Sequence, residues 1–234
     1  MPFVISPEEA EAQCVTLQRV DLVDLVASDD SDVWPFGARH VCRHLFGTVN
    51  ESRSKVGKGH KSKLHSPSCY CLEDVRASLG LDVANILQLA MLCGSDYTPG
   101  IRNVGPVTAV EILSEFVRQA PQSNEQDDQW SQWLCGMHAS DSQISAVIGP
   151  LKDFVDWWNN CGSRKPLESQ LVTSPVRRKW ANLHPPSGFP DPAVVQAYLR
   201  PNVKTELDSF KWEVPNVSLL VKYPFSREPF SSFS

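Results

Sequence analysis

Residues 20–32 constrain this chain more than any other stretch. Val20-Asp-Leu-Val-Asp-Leu-Val26 is short, apolar and dense in β-branched residues, the pattern of a buried strand. Three acids follow, Asp29, Asp30 and Asp32, and then Trp34-Pro35-Phe36-Gly37, where proline and glycine mark a loop. In an open α/β sheet, ligands bind in the crevice beyond the carboxyl ends of the strands. Asp30 and Asp32 lie two residues apart and share one side of an extended chain. Carboxylates that close raise each other's pKa unless a cation sits between them. A hard ion such as Mg²⁺, bound by one or two carboxylates plus a substrate phosphate, satisfies both constraints. Taken alone, the stretch reads more simply as an acidic surface turn.

The chain has 234 residues, 41% hydrophobic and 21% charged, which is enough for one sizeable domain with appendages. No apolar run approaches the roughly 20 residues that span a bilayer, so no membrane is expected. The N-terminus, Met1-Pro-Phe-Val-Ile-Ser-Pro7, lacks the positive region and apolar core of a signal peptide. Seven scattered cysteines, an odd number, predict reduced thiols in an intracellular protein. The net charge of −5 conceals a segregation. Residues 1–50 are strongly acidic, whereas residues 51–65 carry Arg53, Lys55, Lys58, Lys61 and Lys63 against Glu51 alone. A basic loop beside an acidic cluster suits a metal-dependent phosphodiester enzyme, although a solvated charged loop accounts for it more simply.

Along the chain, Phe3-Val-Ile5 reads as a short strand. Ser6-Pro7-Glu8-Glu9 then carries a helix start, with Ser6 as N-cap and Glu9 completing a capping box. The following helix sets Ala10, Cys14 and Leu17 on one stripe facing the sheet. Glu9 and Glu11 fall in its first turn, where acids are favoured by the helix dipole alone. A functional role requires them to meet Asp30 and Asp32. A strand–helix–strand order brings both pairs to one edge of a parallel sheet. Val41 to Phe46 and Cys69 to Leu72 read as further short strands, and residues 47–68 as a mobile loop. His60, His65, Cys69 and Cys71 do not follow a standard zinc pattern, so no zinc site is expected there.

Leu72 to Leu79 reads as a helix ending at Gly80, and Val83 to Cys93 as a buried helix closed by Gly94. Pro99-Gly100 and Gly105-Pro106 bracket Ile101 and Val104, and Pro106 opens another helix to Val117 with Val107, Val110 and Leu113 on one face. Helix, glycine-bounded hairpin and helix make a device for gripping duplex backbone: free amides at the second helix meet phosphate, and glycines allow close approach. An ordinary helical hairpin that binds nothing fits the same residues, with Asp96 capping a turn. Beyond it come a polar stretch at 118–147, a helix over Leu151 to Asn160, and a basic patch at Pro175-Val-Arg-Arg-Lys-Trp180. A helix from Pro190-Asp-Pro192 through Leu199, Trp212 as a packing residue and a Ser/Pro/Phe-rich tail complete the chain.

These motifs, in this order, resemble a known family. Glu9-Ala-Glu-Ala-Gln-Cys14, Asp29-Asp-Ser-Asp32 with Phe36-Gly-Ala-Arg-His-Val41, and Gly94-Ser-Asp-Tyr-Thr-x-Gly-Ile101 are similar to the ordered motifs of the structure-specific 5′-nucleases. Val107-Thr-Ala-x-Glu-Ile-Leu113, Gly188-Phe-Pro-x-Pro-Ala-Val194 and Ala197-Tyr-Leu199 extend the resemblance toward the xeroderma pigmentosum group G (XPG) branch. They argue against the flap endonuclease and exonuclease branches.

The resemblance implies an α/β fold: a partial parallel-sheet, PIN-like nuclease core, then a helix–two-turn–helix element and C-terminal helices. The boundaries expected are 1–94 for the internal nuclease region, 95–120 for the helix–two-turn–helix, 121–149 for a polar insert, 150–212 for the helical part and 213–234 for a tail. It also implies a structure-specific endonuclease that cleaves DNA at single-strand/duplex junctions in nucleotide excision repair, in the nucleus. Two Mg²⁺ would be held by Glu9, Glu11, Asp30, Asp32 and Asp96, the same five acids that the residues alone suggested. DNA would meet Gly100, Ile101, Val104 and Gly105, with K⁺ on the backbone carbonyls of Ile101 and Val104. Repair-complex proteins are the further partners implied. The family's core begins with a region that supplies more metal-binding aspartates, whereas this chain opens just before Glu-Ala-Glu-Ala. The expectation is therefore an internal nuclease fragment with a raw sheet edge and impaired activity in isolation. The alternative is a DNA-binding or scaffold fragment that cannot cleave.

Overall fold

The structure, a computed structural model, describes residues 2–45, 66–116, 139–162, 180, 182–206 and 209–222. In chain order come α1 (Ala10–Arg19), β1 (Val26–Ala27), β2 (His40–Arg43), β3 (Ser68–Cys71), α2 (Leu72–Leu79), α3 (Val83–Cys93) and α4 (Pro106–Phe116). Then follow α5 (Asp141–Trp157), which continues into a π turn at Trp158–Gly162, α6 (Pro192–Leu199) and α7 (Val217–Lys222). The chain divides into two compact units, Ser6–Thr205 and a smaller one of Met1–Ile5 with Glu206–Ser234.

The α/β character holds, but the described sheet is mixed rather than parallel. β1 runs parallel to β2, with Val26 opposite Val41. β3 runs antiparallel to β2, pairing His40 with Cys71 and Cys42 with Cys69. The strand expected over Val20–Val26 shrinks to two residues. Its first half is consumed in closing α1: the amides of Val20, Asp21 and Leu22 donate to the carbonyls of Thr16, Gln18 and Leu17 at 3.0–3.1 Å. Asp21 takes a positive φ of 55° there. A backbone group bonded back to its own helix is not free to join a ladder. Phe3–Ile5 forms no strand either.

Helix α1 also departs from expectation. It starts at Ala10 with Glu9 as an extended N-cap that makes no side-chain cap. The Ser6 hydroxyl donates to the Glu9 carbonyl at 2.8 Å instead of accepting from a helix amide. Its buried side is Ala12, Val15 and Thr16 with Gln13, Gln18 and Arg19, whereas Ala10 and Cys14 are exposed. Hydrophobic periodicity misreads such a helix because four of its six inward residues are polar and satisfied by bonding rather than by apolar burial. Gln18 shows how. Its amide donates to the carbonyls of Asp24 and His40 at 3.1 and 2.9 Å, and its oxygen accepts from the Arg39 amide at 2.7 Å. One side chain thus ties α1 to the start of β2.

The helical half follows its local signals more closely. Gly80 takes the left-handed conformation that ends α2, and Asp82 with Asn85 forms a reciprocal capping box on α3. Pro106 opens α4, but the buried residues are Ala109, Ile112 and Leu113, and Val107 is 75% exposed. The polar stretch expected over 118–147 ends within a helix. Ser140 and Gln143 cap α5, and Ile144, Val147, Ile148, Leu151 and Phe154 line its buried side. Polar residues at 140–143 are the cap of that helix, not the body of a loop. α6 starts as expected, with Asp191 accepting from the Ala193 amide at 2.9 Å. The core of the larger unit gathers Leu87, Met91, Leu92, Ile112, Phe154 and Trp180. Trp212, expected to pack, is 74% exposed. The basic residues of 51–65 and of 177–179 lie outside the described residues. No single helix among the described residues is long and apolar enough to cross a membrane.

Candidate active site

After β1 the chain turns on its own side chains. The Asp30 amide donates to Ser28 Oγ at 3.1 Å, and the Asp32 amide to Asp30 Oδ1 at 2.9 Å. Such side-chain-to-backbone bonds two residues apart build a tight turn. Asp29 faces elsewhere: its carboxylate accepts from the His44 amide at 2.6 Å, and its carbonyl from Arg43 Nη2 at 2.6 Å. It fastens the acidic turn to the end of β2.

Asp32 is the electrostatic centre. Burial raises its carboxyl above the usual range, and the negative charges of Asp30, Asp96 and Glu11 add to the rise. A hydrogen bond opposes it, because the Tyr198 hydroxyl donates to Asp32 Oδ2 at 2.8 Å. Burial likewise pushes the Tyr97 phenol up to about 12, reinforced first by Glu9 and then by Asp32. Asp30, Asp96 and Glu11 thus act on the Asp32 carboxyl, whereas Glu9 acts on Tyr97. Beneath them lies an aromatic wall, with Tyr97 and Tyr198 at 4.8 Å between ring centroids and Phe36 at 5.0 Å from Tyr198. Tyr198 escaped the sequence reading as a site residue. It stands 166 residues from Asp32, and only its place beside Ala197 and Leu199 in a recognised motif marked it.

The donor set suits a hard cation. It consists of carboxylate oxygens whose mutual repulsion a bound positive charge relieves, and at Asp32 that repulsion adds to the effect of burial. The carboxylates are gathered rather than clenched. Among the described residues, no three ligand atoms from these five acids lie within 4.8 Å of one another.

The sign of the pH dependence follows. An acid with a folded pKa above its unfolded value binds more protons when folded, so stability falls as pH rises through that interval. The lost stability stays lost at higher pH unless a cation pairs with the ionised Asp32. Mg²⁺ is therefore expected to raise Tm more at pH 8 than at pH 4. Tyr198→Phe removes the bond that pulls the Asp32 carboxyl down, so it should weaken Mg²⁺ binding at pH 7 by about fivefold, roughly 1 kcal/mol. Titration calorimetry and thermal melts measure both. Equal Mg²⁺ shifts at the two pH values would contradict the assignment.

The hairpin between α3 and α4 depends on Gly100. Its φ is 67°, and a Cβ built there would lie 2.3 Å from the Gly94 nitrogen. Ser95 and Thr98 bridge each other by backbone bonds of 2.8 and 3.2 Å. The side chains of Ile101 and Val104 are buried, so the backbone is what this turn offers to a ligand. The Ile101 amide donates to Leu92 at 2.9 Å and its carbonyl accepts from the Val104 amide at 3.0 Å, which leaves that carbonyl one lone pair. Gly105 has no positive φ and open space at its Cβ position. Its carbonyl accepts from the Ala109 amide at 2.9 Å, starting α4.

Comparison with known proteins adds to this geometry. Residues 1–96 match the family described as the XPG I-region. The chain is 35% identical over 217 residues to the mouse DNA excision repair protein ERCC-5, covering 93% of this chain and 15% of that protein. It is 31% identical over 224 residues to the DNA repair protein RAD2 of Saccharomyces cerevisiae, covering 94% of this chain and 17% of that one. It thus spans less than a fifth of the length of either of these two relatives. The structure superposes on the catalytic core of Rad2 in complex with DNA substrate with a TM-score of 0.65 at 30% identity, over 94% of this chain and 56% of that one.

Proposed function

Because this chain carries an XPG-type 5′-nuclease internal region, we propose that it forms the acidic half-site and DNA grip of a structure-specific DNA endonuclease. The reaction is metal-dependent phosphodiester hydrolysis at single-strand/duplex junctions, the setting is nucleotide excision repair in the nucleus, and repair-complex proteins are the further partners. The observation that carries this reading is the half-buried Asp32 carboxylate, held by the Tyr198 hydroxyl at 2.8 Å and acted on by the charges of Asp30, Asp96 and Glu11. Hydrolysis of a phosphodiester adds negative charge in its transition state, and cations held by these carboxylates would offset that charge.

Glu9, Glu11, Asp30, Asp32 and Asp96 are the residues that would hold two Mg²⁺. Ions at such a site activate water and stabilise the leaving oxygen of an in-line displacement. The residues of the chain divide the remaining work. Tyr198 orients the Asp32 carboxylate, and the Tyr97 ring packs edge-on against Tyr198. Gly100 and Gly105 let a duplex phosphate approach the backbone at the start of α4, where free amides favour an anion. The carbonyls of Ile101 and Val104 would hold a K⁺ there.

A second reading has one observation in its favour: the five carboxylates do not close to within 4.8 Å in threes. On that reading the 234-residue chain grips DNA and does not cut. A labelled splayed-arm DNA incubated with the purified chain, in Mg²⁺ and in EDTA, separates the two. Metal-dependent cutting at the junction supports the first. Salt-sensitive binding without cutting supports the second, and neither binding nor cutting sinks both.

A further inference from the structure

Away from the acidic site, three potential metal ligands of different chemistry meet where β2, β3 and α2 join. His40 opens β2, Cys71 closes β3 opposite it, and Glu73 lies in the first turn of α2. Their ligand atoms all fall within 4.8 Å of one another, the one such trio among the described residues. Cys71 Sγ already donates to Glu73 Oε2 at 3.0 Å. Zinc bonds of about 2.0–2.3 Å in tetrahedral geometry place ligand atoms roughly 3.3–3.8 Å apart. Modest side-chain rotations therefore close this trio around an ion.

We propose that His40, Cys71 and Glu73 form a zinc site that clamps the β2–β3 ladder to α2, separate from the carboxylate site. Imidazole, thiolate and carboxylate together select zinc over Mg²⁺, which prefers oxygen alone. Binding exchanges the Cys71 thiol proton for the metal–sulfur bond and releases that proton to solvent. Three protein ligands leave a fourth position, and it opens on a groove of about 470 Å³ lined by Asp24, Cys69 and Asp74 as well as by His40 and Cys71. Water or a second carboxylate completes the sphere there.

The backbone under the trio is fixed before any metal arrives. Gln18 bonds to both the amide and the carbonyl of His40, at 3.4 and 2.9 Å. The Leu72 amide donates to the Arg39 carbonyl at 2.8 Å. Ligands on a fixed frame lose little freedom on binding. Sequence spacing could not reveal the site. His40 stands 31 residues before Cys71 and outside any short motif, and only the β2–β3 register brings them together. The histidines that spacing drew attention to, His60 and His65, lie outside the described residues.

The test uses the metal alone on the 234-residue chain after chelator treatment. One Zn²⁺ per chain is expected, with a rise in Tm. Co²⁺ in its place should give a near-ultraviolet thiolate-to-cobalt band of one-thiolate intensity. His40→Ala and Cys71→Ser should each weaken Zn²⁺ binding by more than the roughly 10–100-fold typical of losing a residue one shell further out. Cys71→Ser should also abolish the cobalt band. Cys69→Ser and Asp30→Asn should leave both signals in place. No thiolate band in the unsubstituted chain would overturn the proposal without relying on any variant. A band that survives Cys71→Ser, or is lost with Cys69→Ser, would overturn it too.

Discussion

Asp30→Asn is expected to remove Mg²⁺-dependent cleavage of junction DNA by about a thousandfold or more, on the order of 4 kcal/mol of transition-state stabilisation. It should do so without harming the fold. Asp30 Oδ1 holds the turn by accepting from the Asp32 amide at 2.9 Å, and an asparagine oxygen accepts equally well. The substitution removes only the charge. That charge is one of those raising the Asp32 carboxyl, so its loss relieves repulsion in the metal-free protein. Tm above pH 7 without metal should stay level or rise, the Mg²⁺-induced shift should shrink, and salt-sensitive DNA binding should persist. In the longest form of the protein that cleaves splayed-arm DNA, the rate before and after substitution is decisive. Activity within tenfold of the parent would remove Asp30 from the metal site.

Gly100→Ala should have the largest effect on stability. The backbone there has a φ of 67°, and the new methyl would sit 2.3 Å from the Gly94 nitrogen and 2.6 Å from the Cys93 carbonyl carbon. Both are backbone atoms at the end of α3, so no side-chain rotation relieves the clash. A positive φ on a residue with a side chain adds about 1–2 kcal/mol, and overpacking typically adds 1–3 kcal/mol more. A loss of about 2–5 kcal/mol by denaturant unfolding is expected, together with weaker duplex binding. Gly105→Ala supplies the contrast, because its Cβ position is open. It should leave stability within about 0.5 kcal/mol of the parent, the range of an ordinary surface change. Equal losses at the two glycines would mean that the hairpin is not held as described.

Helices whose ends are written in the chain were legible beforehand. Gly80, Gly94, Pro106 and Asp191-Pro192 mark α2, α3, α4 and α6, because caps and φ preferences act within a few residues of themselves. The glycine hairpin was legible for a related reason: residue type and short spacing carried it. Helix α1 was misjudged on its buried side, since Gln13, Gln18 and Arg19 point inward and owe their burial to partners elsewhere in the fold.

The remaining features belong to the tertiary structure. β1 could not be sized from Val20–Val26, because a strand extends only as far as its own backbone groups are free to pair, and α1 had claimed the amides of residues 20–22. The antiparallel β3 follows from register with β2 and not from its own composition. Tyr198 reaches Asp32 across 166 residues, and His40 reaches Cys71 across 31. Local chemistry fixes what each segment can become, because its forces die away within a turn or two. Which carboxylate is buried, which tyrosine steadies it and which thiol meets a histidine depend on contacts between segments, and those exist only once the chain has closed on itself.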